Sequence, residues 1–343
     1  MSRQGAIILA GDIGGTKTDL AIFSSETGLA APMAEASFSS GDYPGLELIV
    51  REFLFRSGSD INIDQAVFGV SGPVIEGRAK ITNLPWVMEE ATIEKTLGLP
   101  SVHLFNDLIA CAYAVPLLGT SDLCTLNKGI PDPQGSRAIV APGTGLGEAC
   151  LHWDGTGYLA YPSEGGHADF APMNALEEAL LHHLQQRFDH VSYERVCSGN
   201  GLFNIYHFLK DEGYAEEPAW LTKMLAGVDD PVPVIIGSAL DAKRSCTLCL
   251  TTLNMFVSIL GAEAGNTALK LMASGGVFLG GGILPHIISA LQNGLLMNAF
   301  RQKGRMSGLM ERIPVHVIMN PRAALLGAAS RGMSLVCRED RQK

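Results

Sequence analysis

The sequence predicts an α/β fold organised as two domains. Short apolar runs alternate with amphipathic segments along the chain. Three of these runs end in glycine clusters, at Gly14-Gly15, Gly143 to Gly147 and Gly280 to Gly282. The 343 residues suggest two domains at about 150 residues each. Hydrophobic residues make up 47 % and charged residues 17 %, which excludes global disorder. The formal charge of −10 argues against a nucleic-acid or anionic-membrane binder, because nothing neutralises phosphate over a wide surface. Any phosphate binding must therefore be local, through backbone N–H groups, a lysine or a metal.

Taken in order, residues 6–23 read as strand, tight turn, strand, with Gly14-Gly15 in the turn. Residues 45–58 carry Leu46, Leu48, Ile49, Phe53 and Leu54 at helical spacing. Residues 65–83 read as strand, loop at Ser71-Gly72-Pro73, and strand. From Val102 a strand runs to Phe105 and turns helical at Asn106-Asp107. The second part opens near Gly119. Residues 135–153 repeat the pattern of strand, glycine turn, strand. Residues 174–190 form a periodic helix. Residues 192–213 form another, interrupted by Gly199 and Gly201, and 239–273 a long helical region. Residues 274–292 read as strand, triple glycine and a helix after Pro285; 313–321 is a strand and 324–336 a closing helix. Residues 9–23 and 139–153 share one design, an apolar strand, a turn with a Gly-Thr pair and a second strand, so they form a weak internal repeat about one domain apart.

The stretch Leu271 to Phe300 holds no Asp, Glu, Lys or Arg, but its glycines and Pro285 make it a buried strand, turn and helix rather than a membrane span. The N-terminal apolar run is broken by Gly11 and Asp12, too early for a signal peptide. Seven scattered cysteines fit a reducing cytoplasm rather than a disulfide framework. Cys246 and Cys249 read as buried structural thiols, His182-His183 as a solvated helix face, and Trp86 and Trp153 as core or rim.

Gly11 to Thr18 nearly matches a P-loop, but the sixth position is Thr16 and a strand follows where a P-loop opens a helix. As a hairpin the segment still suits phosphate. Glycines can take positive φ and form an anion nest, with Thr16 and Lys17 adding donors, while Asp12 can hold Mg2+ through water. The plain alternative is a tight hairpin with Asp12 capping the turn. Gly143-Thr144-Gly145-Leu146-Gly147 fails the dinucleotide fingerprint by spacing. Gly280-Gly281-Gly282 permits flat approach to a nucleotide. Asp107 is either a helix N-cap or a carboxylate able to take a proton from a substrate hydroxyl. Glu164-Gly165-Gly166-His167 suits a polyhydroxylated ligand, or is a polar loop. Glu194 sits at a helix start, where acidic residues are favoured in any case.

The ordered set DIGGTKT, FND, APGTGLG, SEGGHADFAP, ERVCSGNGL and GGVFLGGGILP resembles bacterial glucokinases of the hexokinase/actin-like ATPase superfamily, over about residues 6 to 330. The glycine motifs are moderately specific; SEGGHADFAP within the ordered set is highly specific. The resemblance implies a two-domain actin-like fold, with ribonuclease H-like domains around an interdomain cleft. The small domain is expected at 1–117 plus 321–343, and the large one at 118–320. It implies ATP-dependent phosphorylation of D-glucose at the 6-hydroxyl, with Mg2+, in a cytoplasmic homodimer that binds neither nucleic acid nor membrane. By motif match Asp107 is the catalytic base. Asn106, Asp107, Glu164, His167 and Glu194 are sugar ligands, with Gly72 and Asn83 lining the sugar side. Asp12, Gly14, Gly15, Thr16 and Lys17 form the first phosphate loop, with Mg2+ on Asp12. Gly143, Thr144 and Gly145 form the second, and Gly281-Gly282 the adenosine loop. Family members often carry Asn where this chain has Lys17, which opens the choice of phosphoryl donor. Residues 168–190 lack the cysteines of the zinc-bearing sister branch. The rival readings are a kinase for another hexose or another donor, and a non-catalytic sugar-binding regulator.

Overall fold

A computed structural model describes residues 5–58, 61–81 and 84–342. Asn83, expected on the sugar side, lies outside the described residues. The chain divides into two compact units, unit 1 (Met1–Gly119, Tyr158–Ala160 and Asn320–Lys343) and unit 2 (Thr120–Gly157 and Tyr161–Met319).

In unit 1, β1 (Ile7–Ile13) and β2 (Lys17–Ser24) form an antiparallel hairpin, with Asp12 opposite Asp19 and Ile13 opposite Thr18. β3 (Ala34–Ser39) pairs with β2. β4 (Gln65–Val70) runs parallel to β1. The short strands β5 (Val74–Ile75), β6 (Arg78–Lys80) and β7 (Val87–Glu89) form a separate three-stranded sheet. β8 (Val102–Asn106) runs parallel to β4, giving the order β3-β2-β1-β4-β8. The helices are α1 (Leu46–Ser57), α2 (Glu90–Leu97), α3 (Asp107–Ala114) and the C-terminal helix Ala323–Gln342.

Successive side chains on a strand point to opposite faces, and here both faces are covered, which is why β1 and β4 read as near-continuous apolar runs. Leu9, Phe68 and Phe53 belong to one core layer. Ala10, Ala21 and Val67 belong to the other, with Ala328 and Ala329 of the C-terminal helix. The small alanines and Gly327 let that helix pack tightly: a Cβ on Gly327 would stand 1.7 Å from the Ala110 carbonyl oxygen of α3. The expected element order is found in this unit, with one refinement. Asp107 is not the N-cap of α3; Asn106 is, its side chain accepting from the Leu108 N–H at 3.0 Å.

In unit 2, β9 (Leu123–Asn127), β10 (Arg137–Pro142), β11 (Leu146–Trp153), β12 (Tyr158–Ser163, of which Tyr161–Ser163 belong to this unit), β13 (Gly276–Leu279) and β14 (Val315–Ile318) form a six-stranded sheet ordered β12-β11-β10-β13-β14-β9. The antiparallel hairpin β10–β11 beside the parallel pair β10–β13 repeats the arrangement of β1–β2 beside β1–β4. The helices are α4 (Ala175–Gln185), α5 (Gly199–Asp211), α6 (Ala219–Leu225), α7 (Val232–Leu240), α8 (Thr247–Leu271), α9 (Ile288–Leu291), α10 (Leu295–Arg301) and α11 (Ser307–Arg312). By length and composition α8 is apolar enough to cross a membrane, yet most of its apolar window is buried in the core of this unit.

Three expectations are corrected. Gly199 and Gly201 do not interrupt a helix; they form its first turn after the Ser198 cap, whose hydroxyl accepts from the Gly201 N–H at 2.9 Å. A Cβ on Gly201 would lie 2.6 Å from the Val196 carbonyl carbon, so glycine lets the preceding segment fold back onto α5. The helical region 239–273 is broken after Leu240, and Cys246 caps α8 by accepting from the Cys249 N–H at 3.4 Å. His183 is not on a solvated face: its Nδ1 lies 2.9 Å from Glu212 Oε1 and its ring meets Phe208 edge-on at 5.5 Å.

Gly327→Ala forces Cβ into α3 and is expected to cost about 1–3 kcal/mol of stability. The midpoint of urea unfolding, compared with that of the unsubstituted chain, measures the loss.

Candidate active site

In unit 1 the candidate residues gather at the C-terminal ends of β1, β4 and β8. The strand register sets Asp12 beside Gly69 and Gly69 beside Phe105, one residue before Asn106. Gly69 makes the packing possible: a Cβ there would lie 2.8 Å from the Ala110 Cβ and 3.7 Å from the Asp107 Cα. Asn106 holds the junction at both ends of its amide, donating from Nδ2 to the Gly72 carbonyl at 3.1 Å while Oδ1 caps α3. Gly72 has φ 141°, a conformation that favours glycine. Asp107 Oδ1 also accepts from the Leu108 N–H, at 2.8 Å.

Electrostatically this is an acidic, partly desolvated corner. Burial raises the Asp107 carboxyl above its ordinary value, opposed by hydrogen bonds from the Leu108 and Asp107 N–H groups and from Asn106. Burial raises Asp12 to about 7, reinforced by the negative charges of Asp107 and Asp19 and opposed by Lys17. Cys111, one turn along α3, is pushed up to about 12 by burial and by Asp107 and Asp12, so its thiol stays neutral.

The β1–β2 turn is closed by the Gly14 N–H donating to the Lys17 carbonyl at 2.9 Å, so Asp12 lies in the ladder and does not cap the turn. Neither Gly14 nor Gly15 adopts positive φ, so the expected positive-φ nest is not formed at these two residues. The turn is instead braced by Ser40, which sequence reasoning missed. Its N–H donates to the Thr16 carbonyl at 2.9 Å and its hydroxyl to the Gly14 carbonyl at 2.8 Å, with Thr18 Oγ1 2.9 Å away. Only three-dimensional proximity reveals that role, since Ser40 lies beyond β3 in sequence. Thr16 and Lys17 are exposed, and the Lys17 ammonium lies 2.9 Å from Asp19 Oδ1.

The corner fits a hydrated divalent cation. Its donors are carboxylate oxygens, which suit Mg2+; burial is the main cause that raises Asp12, and the added repulsion from Asp107 and Asp19 would be relieved by a cation.

In unit 2 the candidates lie at the corresponding strand ends. Gly143 donates to the Gly145 carbonyl at 2.8 Å, and its own carbonyl accepts from the Gly199 N–H at 2.8 Å. Glu194, in the 3-10 turn Tyr193–Arg195, accepts from the Leu146 N–H at 3.0 Å. A Cβ on Gly145 would stand 2.4 Å from Glu194 Oε2, so glycine lets the carboxylate reach the loop. Glu194 thus spends one oxygen on the loop Gly143–Gly145. Gly281, with φ 91°, packs where a Cβ would meet the Pro142 carbonyl oxygen at 2.2 Å; Gly282 is exposed. Glu164 and His167 flank the 3-10 turn Gly165–His167 with their side chains largely in solvent and 4.0 Å apart. His167 and Glu194 line a cavity of about 400 Å3, with Arg187, Asp189 and Arg195 on its wall.

A sequence profile of the glucokinase family matches residues 9–334. The glucokinase of Nostoc punctiforme is 42 % identical over 94 % of this chain and 98 % of its own length, and that of Synechocystis sp. is 38 % identical over 96 % and 98 %. The chain belongs to the glucokinase family. A glucokinase from an Antarctic psychrotroph, 31 % identical, superposes with a TM-score of 0.82 over 96 % of this chain and 100 % of the other. A ROK family glucokinase from Streptomyces griseus, solved in complex with glucose and AMPPNP, shares the fold at 18 % identity and a TM-score of 0.62, over 96 % and 100 % of the two chains. The fold is accordingly the two-domain actin-like architecture of these sugar kinases.

Because the folded chain holds the Asp12 proton up to about pH 7 while an unfolded carboxyl releases it near 3.8, stability falls as pH rises through that window. Asp12→Asn removes the penalty. Its melting temperature without added metal is expected to exceed that of the unsubstituted chain near neutral pH, and the gap to close as pH falls toward 4. Thermal scans across that range check the sign.

Proposed function

We propose that this glucokinase-family chain transfers the γ-phosphoryl group of ATP to the 6-hydroxyl of D-glucose, giving glucose 6-phosphate and ADP. Family membership across residues 9–334 supports the overall reaction. The observation that carries the mechanism is Asp107, a carboxylate raised by burial and set at the head of α3 beside Asp12.

The roles divide between the units. Asp107 accepts the 6-hydroxyl proton as the new O–P bond forms; its raised carboxyl is a better base than an exposed aspartate. Asn106 and Gly72 fix the junction that aims it, and with Asn83 they belong to the sugar side. Glu164, His167 and Glu194 supply acceptors and a donor for the remaining sugar hydroxyls, which need both kinds. The N–H groups of Gly15 and Thr16, with Lys17, and those of Thr144 and Gly145 take the phosphates, while the Gly14 and Gly143 N–H groups close their turns; Gly281 and Gly282 take the adenosine. Asp12 would hold Mg2+ through water, and the ion would offset charge on the transferred phosphoryl group. Positioning and charge stabilisation do most of the work in such transfers. The net charge of −10 and the scattered cysteines support a cytoplasmic protein without nucleic-acid or membrane partners, and the family resemblance supports a glycolytic homodimer.

A coupled assay with glucose, ATP and Mg2+, scored for glucose 6-phosphate and run beside mannose and fructose, tests the reading. Glucose is expected to give the highest kcat/KM, and preference for another hexose overturns the substrate. Asp107→Asn is expected to lower kcat by about a hundred- to ten-thousand-fold while calorimetry still records glucose binding. Near-normal turnover would remove Asp107 from its role. Mg2+ is expected to raise the melting temperature of the unsubstituted chain and to leave Asp12→Asn unmoved.

A further inference from the structure

Glu148 lies on β11, only 5 % exposed, and its carboxyl faces that of Glu263 on α8, which is fully buried, within hydrogen-bonding reach. Two carboxylates cannot bond to each other unless one carries a proton. The surrounding cations do not resolve the pair. The Lys270 ammonium lies 3.7 Å from Glu263 Oε1, on a side chain that is mostly exposed. Lys303 donates to the Ala262 carbonyl at 2.9 Å and to Asn266 Oδ1 at 2.6 Å. Asn266 donates to Glu263 Oε2 at 2.9 Å, leaving Glu148 Oε1 buried without a donor. The Thr267 hydroxyl lies between the two, 3.4 Å from Glu263 Oε1 and bonded to the Glu148 carboxyl, which it lowers without offsetting burial; Tyr193 and Cys197 nearby are held neutral by burial and by Glu263. Burial and the Glu263 charge raise Glu148 to about 8, so it keeps its proton at neutral pH.

The opposite side of the same carboxyl supports Glu164-Gly165-Gly166-His167. A Cβ on Gly165 would stand 2.0 Å from Glu148 Oε2, and one on Gly166 2.1 Å from the Leu146 carbonyl oxygen. The two glycines let this turn rest directly on the Glu148 carboxyl and the β11 backbone. The carboxyl is thus in close contact with the turn that carries Glu164 and His167.

We propose that Glu148 is a positioning residue for hexose binding: as a protonated carboxyl bonded to Glu263, it seats Gly165 on β11 and fixes Glu164 and His167, and loss of that proton loosens the seat and weakens hexose affinity. The proposal rests on the assignment of Glu164 and His167 to the sugar. Glu148→Gln supplies a permanent N–H donor to Glu263, and Glu263→Gln supplies one to Glu148, so either variant should remove the pH sensitivity; the second serves if the first does not fold. KM for glucose and for ATP is measured between about pH 7 and about pH 9.5, together with amide hydrogen exchange over Gly165 to Ala168. In the unsubstituted enzyme KM for glucose is expected to rise by about fivefold or more across the range, with KM for ATP nearly flat. Exchange in the turn should accelerate with the same midpoint. Both Gln variants should flatten the glucose curve and keep the turn protected. If both retain the original pH dependence, or if protection of the turn does not change with pH in the unsubstituted enzyme, the proposal fails. Glu164→Gln and His167→Ala, assayed at about pH 7, separate the two layers. If neither raises KM for glucose, the sugar assignment and the hexose part of the proposal both fall. The exchange data still decide whether Glu148 seats the turn.

Discussion

Gly69 is the constraint on which the unit 1 site depends. It sits on the central parallel strand, level with Asp12 on one side and one residue short of Asn106 on the other. With no side chain at that position, α3 can settle against the sheet with the Ala110 methyl where a Cβ would otherwise be. That approach brings the head of α3 close enough for the charge of Asp107 to raise Asp12. Nearby carboxylates repel and lose hydration, and the gain from packing α3 and the C-terminal helix offsets that cost. The destabilised charge is then available to a cation or a substrate proton, which is how strain at a functional site acquires a use.

Unit 2 uses the same backbone plan with different electrostatics. Its hairpin β10–β11 and parallel neighbour β13 again end in small residues, and glycines at 145, 166 and 281 admit a carboxylate or a backbone carbonyl where a side chain would block it. The carboxylate that arrives, Glu194, is not crowded by another acid. One of its oxygens accepts from the Leu146 backbone N–H.

The hairpins, the individual strands and the three glycine turns were legible because each depends on local pattern: apolar alternation, turn residues and capping. The ordered motifs carried the family because they lie on those elements. What was illegible depends on contacts between segments distant in sequence. Ser40 closes the first turn from beyond β3, and nothing in its neighbourhood marks it. Gly69 reads as a glycine inside a strand, a known sign of close backbone approach, but the partner that approaches is a helix about forty residues on. Gly199 and Gly201 misled in the other direction. Glycine weakens a helix interior, and the sequence does not reveal that Ser198 starts the helix there. Asp107 was ambiguous between cap and base until Asn106 proved to be the cap, with Asp107 Oδ1 sharing the same Leu108 N–H.

The two acidic pairs face the same electrostatic problem and resolve it differently, because their surroundings differ. Asp12 is only partly enclosed, next to a turn whose outer residues are exposed, so a hydrated ion can reach it. Glu148 and Glu263 are sealed in the core of unit 2, where admitting an ion would require stripping its water. One retained proton removes the repulsion between two such carboxylates, and it needs no cavity. It is also the less permanent solution, since a proton leaves at a pH set by the pair itself. A bound ion would make the first pair depend on metal concentration, whereas a trapped proton would make the second depend on acidity. The turn resting on Glu148 is therefore exposed to a solution variable that the Asp12 corner, once filled by metal, would largely escape.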